Sequence, residues 1–449
     1  MPRCGVSLPF GRQCASGAAW GGLLCATMLL WPKASMAQSI DYYFPQGSYG
    51  YDQQLGVTVQ TRAHPLYEPL GVQIGGFNVH PSVDESLFYN SNVTGVPGSG
   101  SWGSRTSAAV SAGSDWTRNS VGASIGVDHF QYFSLPSDSY TNWSIGLGAG
   151  YTIADSQLLA AYSHQSYYQL GTAIGKARSV TPVLNQTDSA GLQYTFNFGR
   201  ISITPNLGVS AYRFGPTTSL GVTFNQDNLN YNSFAAGVTG RYALDEQSGL
   251  LAIMRVMDFT YLTRLAGQPS NDSKTVQLLT GIDYQPEGVW RYRLLGGVEV
   301  RKFSASQYAT RIAPDVEASV IWSPTGLTTL SLTLASSIQA PQIVGTSGYI
   351  LSQGNLVVDH ELLRNVLLHG HGGIQHAEYL QAGSQTSQTQ FSGGAGVTWL
   401  INRAVRLSLD YGYTSITGGN VSGSLVNPET LTIGNYNQSL LSLTLHLAL

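Results

Sequence analysis

Charge is scarce in this sequence: only 10% of its 449 residues are Asp, Glu, Lys or Arg, against roughly 25% in an ordinary soluble domain. Cysteine is scarcer still. Cys4, Cys14 and Cys25 all fall within the first 37 residues, so the remainder has neither a disulfide framework nor a thiolate site. After residue 37 no apolar run approaches the roughly 20 residues that a membrane-crossing helix needs, which excludes a helical membrane protein. No basic block is present. Residues 38–449 hold 19 bases against 25 acids, a formal charge of −6, so a nucleic-acid partner is not expected. No serine sits in a nucleophile elbow and no glycine-rich phosphate loop leads into a helix. The sequence therefore gives no enzyme and no cofactor to expect.

The first 37 residues carry Arg3 and Arg12, an apolar stretch from about Cys14 to Trp31, and the exit Ser35-Met36-Ala37. This is the plan of a secretory signal, with cleavage expected before Gln38. Interrupting glycines and the closing Pro32-Lys33 argue against a membrane anchor, and Leu24 before Cys25 argues against a lipoprotein. Residues 38–71 form a separate lead-in, with Tyr42, Tyr43, Tyr49, Tyr51 and Tyr67 among Gln, Gly and Pro and without clean alternation. Two placements are open for it: in the periplasm, or folded into a lumen.

Glycine (52) and tyrosine (25) are abundant, and the rest of the chain, 72–449, alternates with period two. Ala190, Leu192, Tyr194, Phe196 and Phe198 form one apolar row; Val405, Leu407, Leu409, Tyr411 and Tyr413 form another. The last row is Leu441, Leu443, Leu445, Leu447 and Leu449, set against Ser442, Thr444, His446 and Ala448. Segments of nine to eleven residues with one apolar face suit strands that cross a bilayer. A soluble β-sandwich also alternates, and the link lengths separate the two. Long or moderate links are expected near Asn90–Ser104, Phe130–Tyr140, Gln165–Thr187, Arg213–Asn232, Leu262–Ser273, Ser304–Thr310, Gln339–Gly348, His376–Gln388 and Ser415–Asn437. Short ones fall between them near Thr117–Asn119, Ala154–Gln157, Gly199, Asp245–Gly249, Gln285–Gly288, Ser323–Gly326, Asp359–Asn365 and Asn402–Arg403.

Long links alternating with short ones describe an all-β, closed antiparallel transmembrane β-barrel with short periplasmic turns and long extracellular loops. The count is about 18 strands, with 16 as the fallback. Closure follows from physics, because in lipid each unpaired backbone group at an open edge costs several kcal/mol. Tyr89, Trp102, Trp116, Tyr132, Trp143, Trp290, Trp322 and Trp399 fall near expected strand ends, where amphipathic rings meet headgroups. The expected location is the outer membrane of a Gram-negative cell.

Three segments carry a family resemblance. Thr61-Arg62-Ala63-His64-Pro65-Leu66-Tyr67-Glu68-Pro69-Leu70-Gly71, followed by Gly75-Gly76-Phe77 and His80-Pro81-Ser82, resembles the start of the barrel in the β-barrel porin 2 family. Ser114-Asp115-Trp116-Thr117-Arg118-Asn119 resembles its early tryptophan-bearing turn, and Asp359-His360-Glu361-Leu362-Leu363-Arg364-Asn365 its late periplasmic turn. The resemblance implies an outer-membrane porin-like barrel, in some genomes near exopolysaccharide genes, and no particular solute. The chain ends on Leu449, whereas barrel proteins commonly end on Phe or Trp for the barrel-assembly machinery.

A barrel of this size holds a lumen that its own side chains do not fill. Alternation puts mostly Ser, Thr, Gln, Asn and Gly inside, with a few charges: Arg291, Arg293, Glu299, Arg301, Asp315, Glu317, Arg406 and Asp410. They would either set a field across a pore or pair between neighbouring strands to brace the wall. Asp359, His360 and Glu361 fall in an expected turn and carry little catalytic promise. His369 and His371 share one strand face, and no carboxylate near them in sequence completes a metal set. The leading expectation is passive passage of small hydrophilic solutes. A barrel associated with exopolysaccharide export and a non-conducting surface protein that binds through its loops are the alternatives. Membrane lipid and lipopolysaccharide are the expected surroundings, and oligomeric state is not legible.

Overall fold

The structure, a computed structural model, describes residues 57–95, 98–169, 174, 181–219, 222–264, 267–286, 288–340, 346–381, 384–418 and 435–449. The expected signal and the first part of the lead-in lie outside the described residues. Eighteen long strands follow one another: β1 (Phe77–Asn90), β2 (Ser101–Ser114), β3 (Asn119–Tyr132), β4 (Tyr140–Ile153), β5 (Ser156–Gln169) and β6 (Val183–Phe198). Next come β7 (Ile201–Phe214), β8 (Tyr231–Ala243), β9 (Ser248–Tyr261), β10 (Ser273–Tyr284), β11 (Trp290–Phe303) and β12 (Arg311–Thr325). The last six are β13 (Thr328–Gln339), β14 (Tyr349–Leu363), β15 (Val366–Gln381), β16 (Ser384–Leu400), β17 (Val405–Gly418) and β18 (Tyr436–Ala448).

Each strand pairs antiparallel with the next, and β18 returns to β1 from Ser82 opposite Ala448 to Asn90 opposite Leu440. The wall is therefore closed on itself, with every long strand paired on both sides over its central part. Its outer face is the alternating apolar row. Val83, Leu87, Leu207, Met254, Leu409 and Leu443 each expose more than two-fifths of their surface, a continuous band that water would penalise and hydrocarbon accepts. A soluble sandwich would have buried these residues.

Both ends of the wall chain lie at one rim, called here the turn end, and the opposite rim is the loop end. At the turn end a short strand, Val72–Ile74, folds back on the start of β1, and the Gly71 N–H donates to the Leu449 carbonyl at 3.1 Å. The links there are tight. Gly199 takes φ +60 between β6 and β7, a conformation that costs glycine little.

Several boundaries differ from those expected. Asp359–Asn365 is not a turn: β14 runs to Leu363, leaving only Arg364 and Asn365 between strands. Ser323, Pro324 and Thr325 close β12, and the turn is Gly326-Leu327. The long link expected at His376–Gln388 is instead strand, with β15 and β16 paired out to Gln381 opposite Ser384. That run of Ser, Gln and Thr reads as loop by composition, yet its described residues are bonded on one ladder. Tyr132 is not at the lipid surface: it is 3% exposed and packs inward on Phe88 with ring centroids 5.4 Å apart. The other seven aromatics named for the belts are exposed, and Trp290 stacks on Trp322 at 5.3 Å.

Candidate channel lumen

Strand parity decides which side chains can face the lumen. All eight charges named from the sequence occupy inward positions, opposite outward residues such as Trp290, Leu294, Val298 and Leu409. Glu299, Arg301, Asp315 and Asp410 are at most 5% exposed, so they sit in a filled part of the interior.

Their contacts are not the arginine–carboxylate pairs expected between neighbouring strands. Glu317 on β12 accepts two bonds from Arg255 on β9, at 2.6 and 3.3 Å, across the intervening β10 and β11. Leu251, Ile253, Leu279 and Leu295 form a buried apolar patch on β9 to β11. Arg301 donates to Thr275 Oγ1 at 2.9 Å and stands 4.6 Å from the Phe259 ring centroid. The Glu299 carboxylate accepts the Ile338 N–H at 2.8 Å. Arg291 donates to the Val57 carbonyl at 3.0 Å and Arg406 to that of Tyr67 at 3.4 Å. Asp410 meets His369 Nε2 at 2.8 Å. Asp315 Oδ2 has no hydrogen-bond partner.

Further inward pairs were not singled out from the sequence: Arg105 with Asp128, Arg241 with Asp283, and His446 with Asp84. Parity along each strand was the available signal, because an inward charge avoids a cost of roughly 2 to 4 kcal/mol at the bilayer midplane. Asp359, His360 and Glu361 do not form one group. Asp359 and Glu361 face inward, while His360 faces outward and contacts Thr328 Oγ1 at 2.9 Å. His369 and His371 do acquire a carboxylate, Asp410, from two strands away. Among the described residues no set of three His, Cys, Asp or Glu is arranged to hold a metal ion.

Two segments narrow the interior. At the turn end, residues 57–71 lie along the inner rim from β18 round to β11. Val59 is 1% exposed between Leu367 and Leu400, and its N–H donates to Thr329 Oγ1 at 3.2 Å. Arg62 binds Glu361 and the Gly326 carbonyl, and Arg403 donates to the Pro65 carbonyl at 3.3 Å. The His64 imidazole is held below its ordinary value by burial, and next by the neighbouring Arg62 charge.

At the loop end, β12 and β13 are paired only as far as Val316 opposite Ser336. Above that point Ala340 packs into the mainly aromatic cluster of Phe214, Tyr231, Phe259 and Tyr261 with Leu229. From the opposite wall, Ile174 in the link after β5 packs on Tyr349, Ala377 and Tyr379. Chain from two sides thus reaches into the throat, Ala340 onto β7 to β9 and Ile174 onto β14 and β15.

A family model described as "Putative beta-barrel porin 2" matches residues 64–434. Among curated proteins no relative matches. Among solved structures, the outer membrane protein OpdK of Pseudomonas aeruginosa is 13% identical, covering 83% of this chain and 99% of its own, with a TM-score of 0.44. The FrpB iron transporter of Neisseria meningitidis is 10% identical, covering 84% of this chain and 82% of its own, with a TM-score of 0.42.

Proposed function

This chain belongs to the beta-barrel porin 2 family, and from that premise we propose that it is an outer-membrane channel for small hydrophilic solutes, with its turn end in the periplasm. One observation carries the reading: a closed 18-strand wall that is apolar outside and lined inside by polar and paired charged groups. An apolar exterior sets the wall in lipid, and a polar interior keeps water and solutes in contact with hydrogen-bonding partners. Because most inward charges are engaged by one another or by backbone, they brace the passage as well as line it. Selectivity would then come from the throat and from the rim segment 57–71, both of which reduce the open section.

Swelling of proteoliposomes in uncharged solutes of increasing size tests this. Influx should be measurable for the smallest solutes and fall steeply with size. A correctly folded barrel that admits none of them would overturn the proposal.

A further inference from the structure

The described residues include two lysines, Lys274 and Lys302, and the ladder sets them directly opposite each other on β10 and β11. Both occupy outward positions, one residue inside the loop-end limits of their strands. Below them on the same outer faces run Val276 and Leu278 on β10, and Val300 and Val298 on β11. The pair therefore stands at the loop-end edge of the apolar band, where the ammonium groups leave hydrocarbon while their stems stay on it.

Like charges directly opposite on neighbouring strands repel, and the acids nearby offset only part of the charge. Lys274 Nζ lies 3.4 Å from Oδ2 of Asp258, its opposite on β9, and Arg264 in the link after β9 is 2.8 Å from Asp272 Oδ2. No carboxylate among the described residues pairs with Lys302. Three cations thus meet two carboxylates at one corner of the outer wall. Lys274 keeps 74% of its side chain exposed, and Lys302 is exposed as well, so their ammonium hydrogens are open to a ligand from outside.

The charge and its position select the ligand. A zwitterionic headgroup would bring its own ammonium against the lysines. A phosphate monoester carries nearly two negative charges and three acceptor oxygens, enough to bridge two ammonium groups on side chains whose Cβ atoms lie about 5 Å apart. Resting on the reading above, in which the loop end faces the exterior, we propose that Lys274 and Lys302, with Arg264 in the adjoining link, bind the phosphate of a phosphorylated glycolipid in the outer leaflet. Its acyl chains then lie along the apolar columns of β10 and β11.

Native mass spectrometry of the detergent-solubilised full chain, titrated with bis-phosphorylated lipid A and separately with its dephosphorylated form, tests the site without requiring conduction. A retained adduct of the phosphorylated lipid is expected, weakened about fivefold by Lys302→Gln and about fivefold again when Lys274→Gln is added. Arg364→Gln removes an exposed cation at the turn end and should leave binding unaltered. All of these side chains lie on the surface, so the variants should keep the heat-shifted gel mobility of a folded barrel. No adduct, equal retention of the dephosphorylated form, undiminished binding in the double variant or an equal loss in Arg364→Gln would overturn the proposal. Equal retention of phosphatidylglycerol would also overturn it, by showing attraction to any anionic lipid. A folded barrel that holds lipid A through these lysines yet admits no solute would sustain the site and sink the channel; solute influx without this binding would do the reverse.

Discussion

Arg255 and Glu317 show how a single inward pair can hold the wall. Together they span two strands, and each is at least partly shielded from solvent, with side-chain exposures of 6% and 21%. Removing one partner leaves a desolvated charge, so Arg255→Ala should cost about 3 kcal/mol, the low end of the range for buried pairs. The double change Arg255→Leu with Glu317→Leu should recover much of that, and urea unfolding in lipid vesicles measures both. Equal losses in the single and double variants would contradict the pairing. Glu299 has a different task, since its carboxylate holds the Ile338 N–H at the throat. Glu299→Ala should loosen the throat and raise the size limit for solute influx. Strand parity was the one sequence signal for the side taken by the eight named charges, because charge on the lipid side is expensive. Their partners were not legible: Arg255 reaches Glu317 over two strands, and Arg291 and Arg406 bond to backbone of a segment without periodicity.

Among the elements, the rim segment 57–71 and the extended β15–β16 hairpin were the hardest to read. Composition suggested loop for the hairpin and left the rim segment open between periplasm and lumen, while ladder pairing decides the first and side-chain anchoring the second. Arg62 and Glu361 latch the rim segment, so Glu361→Gln should weaken docking and increase conductance. His64 adds a pH dependence of defined sign. Burial and Arg62 hold its docked imidazole below the ordinary 6.5, so a released segment takes up its proton first. Docking is then fully favourable above about pH 6.5 and weakens as pH falls toward the docked value. The titratable and charged groups near His64 are Arg62, Glu68, Glu361 and Arg406. Conductance should rise between pH 7.5 and 5.5, and His64→Gln should flatten the rise; a profile identical in the two proteins would contradict this role.

The whole molecule was the most legible scale. Period-two alternation names the lipid face, alternating link lengths give the strand count, and the absence of water in hydrocarbon requires closure. What alternation does not encode is how far chain segments fold back into the interior. Ile174, Ala340 and Val59 each lie within links or lead-in, where no strand period constrains them, and they turn a wide wall into a narrowed passage. Conduction requires that a continuous aqueous path survive between the throat and the rim. Single-channel recording in planar bilayers tests it most directly, with wild type and Glu361→Gln compared at pH 7.5. Stable discrete conductance steps are predicted, larger in the variant; a folded barrel that stays silent in both forms would rule out an open channel.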